Sequence, residues 1–388
     1  MCFSEHSPNG RQKIEAALSR DGSPEFAAVI CYEDIYFRDR WRDLTDYPWW
    51  YAQEPDISRQ LAWRRQVFPK IGQDWFYLPD CLPRVARTRL AIQTRGERAF
   101  LVDVINGEEE ELPEPVVGGW EAYEHGYSGH VAEIASTPAE IDRRIPPVEA
   151  FDAEQFLQQG GADLARDLLG EFGPAQFPIY HVTTPLWHCY YLWGFEGMMS
   201  MIAISPELVE YACQRYLGRC LNTVHQAAAL GAGGVWLEDC LTDMISPSAF
   251  QRLNLPFVRM LVDEIRAHGM KSIYYFCGDP SGKLELLLEA GADALSLEES
   301  KKGFNIDITE LAEFVQGRCT LLGNLDAIHL LPHASEEELR HEIQRQVQSG
   351  RLNRNRFIMS LGSPVTPQTP PQRVRLYCEL THELSQPD

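Results

Sequence analysis

The sequence predicts an α/β protein, specifically a TIM (β/α)8 barrel with an N-terminal excursion that contains a β-hairpin. From Phe177 onward, short apolar or β-branched runs alternate with helical patterns, which predicts parallel strands joined by crossover helices. Six such strands follow residue 175 and two precede it, and eight βα units close into a barrel. We therefore interpret all 388 residues as one barrel domain, since such domains routinely exceed about 250 residues.

Each predicted strand is a short buried run, and each helix has apolar residues at helical spacing. The strands are predicted at Phe26–Tyr32, Trp75–Leu78, Phe177–Val182, Gly234–Leu237, Ser272–Phe276, Ala292–Leu297, Cys319–Leu322 and Arg356–Met359. The helices are predicted at Arg11–Ser19, Ile57–Ile71, Pro206–Leu230, Pro247–His268, Gly282–Ala290, Asp307–Val315, Ser335–Gln348 and Gln372–Leu384.

The excursion is predicted at about residues 84–150. Leu90–Ile105 alternates apolar and polar residues around Arg95-Gly96, which indicates a hairpin. The acidic run Glu108–Glu111 is interpreted as a solvated loop. After the third predicted strand, we place Trp187 and His188 in a loop.

A doubly wound sheet is the alternative fold, but the glycine-rich loop by which such sheets bind a dinucleotide cofactor is missing. Gly231–Gly234 precedes a strand, whereas a dinucleotide-binding loop follows a strand and opens a helix. The sequence also contains no GxxxxGK[ST] loop, no HExxH and no GxSxG.

The charge composition of the chain excludes some classes of binding partner. The chain has 35 Lys and Arg against 56 Asp and Glu, a formal charge of −21, which argues against nucleic-acid binding and against adsorption to an anionic membrane. No apolar run is long enough for a spanning helix. The ten cysteines form no CxxC pair. We expect a cytoplasmic protein with free thiols that binds a small molecule.

If the fold is a barrel, its catalytic groups lie where strands end. Glu238 and Asp239 end the fourth predicted strand and are candidate catalytic carboxyls. Adjacent strand residues point to opposite faces, so at most one of them enters the barrel mouth while the strand lasts. Asn324 and Asp326 follow the seventh strand and are further catalytic candidates, with helix capping as the equal alternative for Asp326.

Cys277 ends the fifth predicted strand, where a thiolate can bind zinc or act as a nucleophile. A packed thiol is the alternative. Cys240 and Glu238 are candidate further ligands, because the fourth and fifth strands are neighbours in a barrel. Aromatic residues cluster after the first strand and suit a flat substrate. The candidate substrate-binding residues are His181, Tyr275, Tyr36, Trp41, Arg38 and Ser363.

The stretch Gly231–Leu384 resembles the uroporphyrinogen decarboxylase superfamily. The segments that carry the resemblance are Ala232–Cys240, Ile245–Pro247, Ser272–Asp279, Glu289–Ser296, Gly323–Asp326 and Gly362–Pro367. The resemblance implies a TIM barrel and one of two activities. One is decarboxylation of uroporphyrinogen without a cofactor, and the other is methyl transfer to or from a cobalamin cofactor carried by a separate corrinoid protein.

The sequence departs from both patterns. The arginine-rich RQAGRY signature of the decarboxylases is absent, and Arg38-Asp39-Arg40-Trp41 replaces it poorly. The methyltransferase branch implies a zinc site with His-x-Cys after the fifth strand and a later cysteine. Here Cys277 takes the first cysteine position, Tyr275 the histidine position and Ser363 the later cysteine position.

These departures favour a corrinoid-linked methyltransferase that demethylates a methoxylated (aromatic) small molecule without needing thiol activation. Cob(I)alamin on a partner protein is the expected acceptor, and zinc is a second candidate cofactor. The alternatives are a decarboxylase of a porphyrinogen or other carboxylate and a barrel that binds without catalysis.

Overall fold

The structure is a computed structural model that describes residues 8–126, 134–301 and 303–387. Residues 127–133 of the predicted excursion lie outside the described residues. The strands of the described chain are β1 (Trp75–Tyr77), β2 (Leu90–Arg95), β3 (Arg98–Asp103), β4 (Glu109–Leu112), β5 (Phe177–Thr183), β6 (Gly234–Asp239), β7 (Lys271–Phe276), β8 (Ala294–Leu297), β9 (Thr320–Leu322) and β10 (Phe357–Ile358).

Helices surround these strands. The α-helices are α1 (Gly10–Ala17), α2 (Glu33–Asp39), α3 (Trp41–Leu44), α4 (Ile57–Ile71), α5 (Arg84–Arg89), α6 (Pro138–Arg144), α7 (Ala153–Gln159), α8 (Asp163–Glu171), α9 (Pro185–Ile204), α10 (Pro206–Leu230), α11 (Pro247–Leu253), α12 (Leu255–Ala267), α13 (Leu284–Glu289), α14 (Ile308–Val315), α15 (Leu330–His333), α16 (Glu336–Leu352) and α17 (Pro371–Leu384). Short 3-10 helices lie at Trp49–Gln53, Gly119–Gly126 and Thr242–Met244.

A curled parallel sheet in the order β1-β5-β6-β7-β8-β9-β10 forms the barrel wall. The gap between β10 and β1 is closed by the segment around Ala28. Val29 donates its N–H to Met359 at 2.9 Å, and the Asp74 N–H donates to the Ala28 carbonyl at 2.9 Å. The predicted (β/α)8 barrel is therefore confirmed, although its first strand, predicted over Phe26–Tyr32, is reduced to a single bridge at Ala28.

Three other expectations change. The acidic run, expected as a loop, includes the edge strand β4, which pairs with β3. Arg98 on β3 pairs with Glu111, and Arg95 at the end of β2 pairs with Glu109, so that two of the acids are neutralised within the sheet. The predicted helix over 247–268 breaks between α11 and α12. The loop expected around Trp187 and His188 is the helix α9, which begins at Pro185, a residue suited to the first helical turn.

Buried hydrophobic residues from Ile14 to Leu380 form one contiguous core among the described residues. The core fills the barrel and the layer between the strands and the outer helices. Within the parts of the chain that the structure describes, no helix has both the length and the apolarity needed to cross a membrane.

The Asp74 side chain fastens the barrel closure. Its Oδ2 accepts the Ala28 N–H at 2.7 Å and contacts His382 Nε2 on α17 at 2.7 Å. We expect Asp74→Ala to lower the free energy of unfolding by about 2–3 kcal/mol, because a buried N–H loses its acceptor. Urea denaturation measures the change.

The matched control is Asp263→Ala, whose carboxylate is 74% exposed and pairs with Arg266 on the surface. We expect the control to change stability by less than about 0.5 kcal/mol. Equal losses in the two variants would contradict the closing role of Asp74.

Candidate active site

The end of β6 sends two neighbouring carboxyls to opposite faces of the barrel wall. Trp236 and Glu238 face the barrel interior, where Trp236 contacts Trp75 and Tyr275. Asp239 faces the layer of helices outside. The alternation of side chains along a strand accounts for this separation, and it gives the two acids different surroundings.

Glu238 lies at the mouth of the barrel beside a tyrosine and a thiol. The Tyr32 hydroxyl donates to Glu238 Oε1 at 3.0 Å, and the Cys240 thiol donates to the same oxygen at 3.6 Å. Burial is the largest influence on this carboxyl and raises its pKa, against the lowering effect of the two donors. At a given pH, a larger fraction of Glu238 is therefore protonated than of an exposed glutamate.

Tyr32 reaches Glu238 through an unusual backbone conformation. It occupies the left-handed region at φ 52 and immediately precedes α2, a conformation that is costly for a bulky residue. Tyr32 lies at the end of the predicted first strand but is not among the candidate residues predicted from the sequence. Its place at a strand end, opposite the Glu238 strand, is the signal that identifies it in retrospect.

Asp239 holds the outer layer together. It is fully buried, and it accepts hydrogen bonds from Thr184 at 3.0 Å, from Asn254 at 2.6 Å and from the Tyr274 hydroxyl. Burial raises its pKa to about 6 despite these donors. The contacts tie the start of α9 and the α11–α12 break to the sheet, so the geometry gives Asp239 a structural position and no access to the mouth.

Two thiols lie together near Glu238. The pKa of Cys240 is raised well above its usual value, mainly by its contact with the Cys277 thiol and secondly by burial. Cys240 is therefore a neutral thiol. Among the described residues, three ligand atoms come within 4.8 Å of one another only on the outer helices. Glu238, Cys240 and Cys277 therefore do not converge as a zinc site requires.

Tyr275 and Ser363 stand where the family motif has zinc ligands, but neither side chain is a suitable ligand for zinc. The Tyr275 hydroxyl donates to the Gly362 carbonyl at 3.4 Å, and burial raises its pKa well above the usual value. Ser363 is 2% exposed, and its hydroxyl has no hydrogen-bond partner in the described structure. With a phenol and a hydroxyl in place of an imidazole and a thiolate, the donor set does not fit zinc.

Aromatic rings wall the mouth. Tyr32 lies edge-on to His181 at 5.5 Å and to Tyr275 at 5.8 Å, while Trp236 stacks on Tyr275 at 4.9 Å between ring centroids. Burial lowers the pKa of His181, so its ring is neutral. The predicted residues His181, Tyr275 and Glu238 are thus brought together.

On the β8 side, the mouth holds two further acids and a lysine. Glu298 accepts the Gly278 N–H at 3.0 Å and pairs with Lys301 at 2.7 Å. Glu299 is 4% exposed, and neither of its carboxylate oxygens has a hydrogen-bond partner among the described residues. Burial raises the pKa of Glu299. Lys301, three residues after Glu298, is not among the candidates predicted from the sequence.

Asn324 and Asp326 serve the loops beneath the mouth. The Asn324 amide donates to the carbonyls of Glu298 at 3.1 Å and Ile306 at 2.9 Å, and so shapes the loop after β8. Asp326 accepts the N–H groups of Ile328 and His329 at 2.8 and 2.7 Å. Asp326 therefore closes the turn that precedes α15, whereas the N-cap residue of that helix is His329, which makes no side-chain capping bond.

The N-terminal candidates lie apart from Glu238. Tyr36 is fully buried and donates to the Thr369 carbonyl at 2.9 Å. Trp41 packs against Trp63 at 5.0 Å. Arg38 pairs with Asp39, and it lines with Trp41 a cleft of about 1040 Å³.

This cleft lies next to the mouth of the barrel, but Glu238 does not line it. Tyr77 lines the cleft and lies 5.2 Å from the His181 ring, but Glu238, Cys240 and Cys277 are not among the lining residues. The partly buried Glu238 carboxyl thus lies at the mouth, and the cleft lies beside it.

The two neighbouring acids of β6 should respond differently to substitution. We expect Asp239→Ala to lower the free energy of unfolding by about 3 kcal/mol or more, because three buried donors lose their acceptor. Glu238→Gln should change it by less than about 1 kcal/mol, since the amide oxygen can still accept from Tyr32. Equal losses in urea denaturation would contradict the inside and outside assignments.

Comparison with known proteins gives a consistent family. Residues 160–384 match the family model of uroporphyrinogen decarboxylase (URO-D). A uroporphyrinogen decarboxylase of Pseudomonas putida is 24% identical over 273 residues, covering 68% of this chain and 73% of the relative. A uroporphyrinogen decarboxylase of Pseudomonas fluorescens is 29% identical over 273 residues with the same coverage.

Among solved structures, a methyltransferase from Methanosarcina mazei superposes with a TM-score of 0.63 at 15% identity, covering 97% of this chain and 99% of that one. This likeness establishes the fold. The family match spans more than half of the sequence, and the barrel and its strand-end motifs agree with it. The chain therefore belongs to the uroporphyrinogen decarboxylase (URO-D) family.

Proposed function

We propose that the protein is a corrinoid-linked methyltransferase that removes the methyl group of a methoxylated aromatic molecule and passes it to cobalamin on a partner protein. The observation that carries the proposal is the partly buried Glu238 carboxyl, which lies among aromatic rings at the mouth and whose pKa is raised by burial, in the direction that favours its protonated form. A likeness in fold to a methyltransferase is consistent with it.

The neutral carboxyl supplies what the departing oxygen needs. Both hydrogen bonds to Glu238 end on Oε1, which leaves Oε2 to carry the proton when the acid is protonated. In demethylation the carbon–oxygen bond breaks, and the leaving oxygen takes the proton from Oε2 as the methyl carbon bonds to its acceptor. The products are a free hydroxyl on the substrate and ionised Glu238, which regains a proton from solvent. Such proton transfer contributes typically about 10²–10⁴-fold to rate.

Cobalamin, when presented by the partner, supplies the nucleophile that accepts the methyl group. The residues of this chain bind and orient the methyl donor. Tyr32 and His181 are partly exposed and present their ring edges to the mouth, while Trp236 and Tyr275 are buried behind them and pack against the Tyr32 ring. Burial lowers the pKa of His181, which favours its uncharged form. Because the mouth residues do not fit zinc, no step of the proposal passes through a metal.

The alternative reaction, decarboxylation of a porphyrinogen or other carboxylate, is favoured by the names of the relatives. It requires cations to hold several carboxylates. Arg38, Arg40 and Arg42 each form an ion pair with a nearby acid, at N–O distances of 2.8, 2.9 and 3.2 Å. Lys301 at the mouth is likewise paired, with Glu298. These charges are already compensated, which supports a neutral substrate instead.

Substitution of Glu238 tests the proposal. With reduced cobalamin on a corrinoid protein and a panel of methoxyarenes, we expect the intact chain to form methylcobalamin. Glu238→Gln should lower kcat by about 10²-fold or more with little change in substrate affinity, since the acid is lost but the shape remains.

Glu298→Gln is the matched control, another mouth acid whose side chain is held by Gly278 and Lys301, and it should retain most of the rate. No demethylation of any methoxyarene, together with carbon dioxide release from uroporphyrinogen, would establish the decarboxylase instead. Ligand binding without either reaction would establish a non-catalytic barrel.

The pH dependence has a definite sign. Burial raises the pKa of Glu238, and the protonated form is the active one, so kcat should fall as pH rises through that raised pKa. Tyr32→Phe removes a hydrogen bond that stabilises the ionised form, and should move the fall to higher pH. A kcat that rises over the same range, or an unmoved profile in Tyr32→Phe, would contradict the acid role.

A further inference from the structure

Three metal-binding side chains meet on the outer surface, away from the mouth. His225 lies near the end of α10, Glu264 lies on the neighbouring α12, and His268 immediately follows α12. His225 Nε2 lies 2.7 Å from Glu264 Oε1, and His268 Nε2 lies 3.3 Å from the same oxygen. The ligand atoms of all three residues lie within 4.8 Å of one another.

We infer that His225, Glu264 and His268 form a binding site for a divalent transition metal ion of the Zn²⁺ type, which clamps α10 to α12. Two imidazole nitrogens and one carboxylate oxygen suit Zn²⁺, Co²⁺ or Ni²⁺, whereas Mg²⁺ and Ca²⁺ prefer oxygen ligands throughout. The site is independent of the proposed methyl transfer.

The spacing matches the coordination geometry. Ligand atoms about 2.0–2.1 Å from a tetrahedral zinc ion lie about 3.3 Å apart. The His268–Glu264 distance already has this value, and the His225–Glu264 distance must open by roughly half an ångström to accommodate an ion. Each Nε2 atom, which now contacts Glu264, would then bind the ion, and Glu264 would bind it as the third ligand.

The helices hold the ligands in place before any ion binds. Glu264 and His268 are one helical turn apart, and α12 buries Leu261 and Ile265 against the barrel. The contact between His225 on α10 and Glu264 on α12 already joins the two helices at this point. The side chains of the three ligands are 31–38% exposed, which leaves an ion accessible from solvent and a fourth position for water.

Titration of the full chain, freed of any histidine tag, with Zn²⁺ or Co²⁺ alone tests the site. We expect one ion to bind and to raise the midpoint of thermal unfolding, because the ion binds the folded state. Mg²⁺ should produce neither effect. The bound Co²⁺ should show ligand-field absorption without thiolate charge-transfer bands.

His225→Ala and the more conservative Glu264→Gln should each weaken binding at least tenfold and abolish the thermal shift, whereas His341→Ala on the exposed face of α16 should not. Absence of binding in the unsubstituted chain, unchanged binding in both ligand variants, or loss of binding in Cys277→Ser would overturn the inference.

Discussion

The alternation of side chains at the end of β6 is the constraint on which the proposed site depends. Glu238 and Asp239 are adjacent in sequence, and both have a pKa raised by burial. Asp239 meets three donors from the outer layer and organises the helices. Glu238 meets only one hydroxyl and one thiol at the mouth, and burial outweighs these two donors and raises its pKa, which favours the protonated form that the proposed proton transfer needs.

The barrel closure positions the partner of this acid. The segment around Ala28 lies between β10 and β1, fastened by Asp74, and Tyr32 follows it directly. The left-handed backbone at Tyr32 then turns the chain into α2 and places the hydroxyl on Glu238. The packing that closes the barrel at Ala28 therefore also fixes the position of Tyr32, which contacts Glu238 at the mouth.

The sequence predicted the barrel because alternating strand and helix patterns are local signals, and it located Glu238, His181 and Tyr275 because strand ends share one face. It did not predict that Ala28 alone would bridge the sheet, since a single pairing leaves no alternating pattern. Nor did it separate Tyr36, which is buried against Thr369, from Tyr32 at the mouth. That distinction depends on a backbone turn, and the metal-binding trio depends on helix packing, which residue spacing does not encode.

Direct observation of the Glu238 carboxyl tests the central claim. Infrared difference spectroscopy between the intact protein and Glu238→Gln, at about pH 6.5 where exposed Asp and Glu are ionised, isolates this one group. The account predicts a protonated-carboxyl band that the variant lacks. A carboxylate band in its place would show that Glu238 is ionised at rest and would contradict its role as the proton donor.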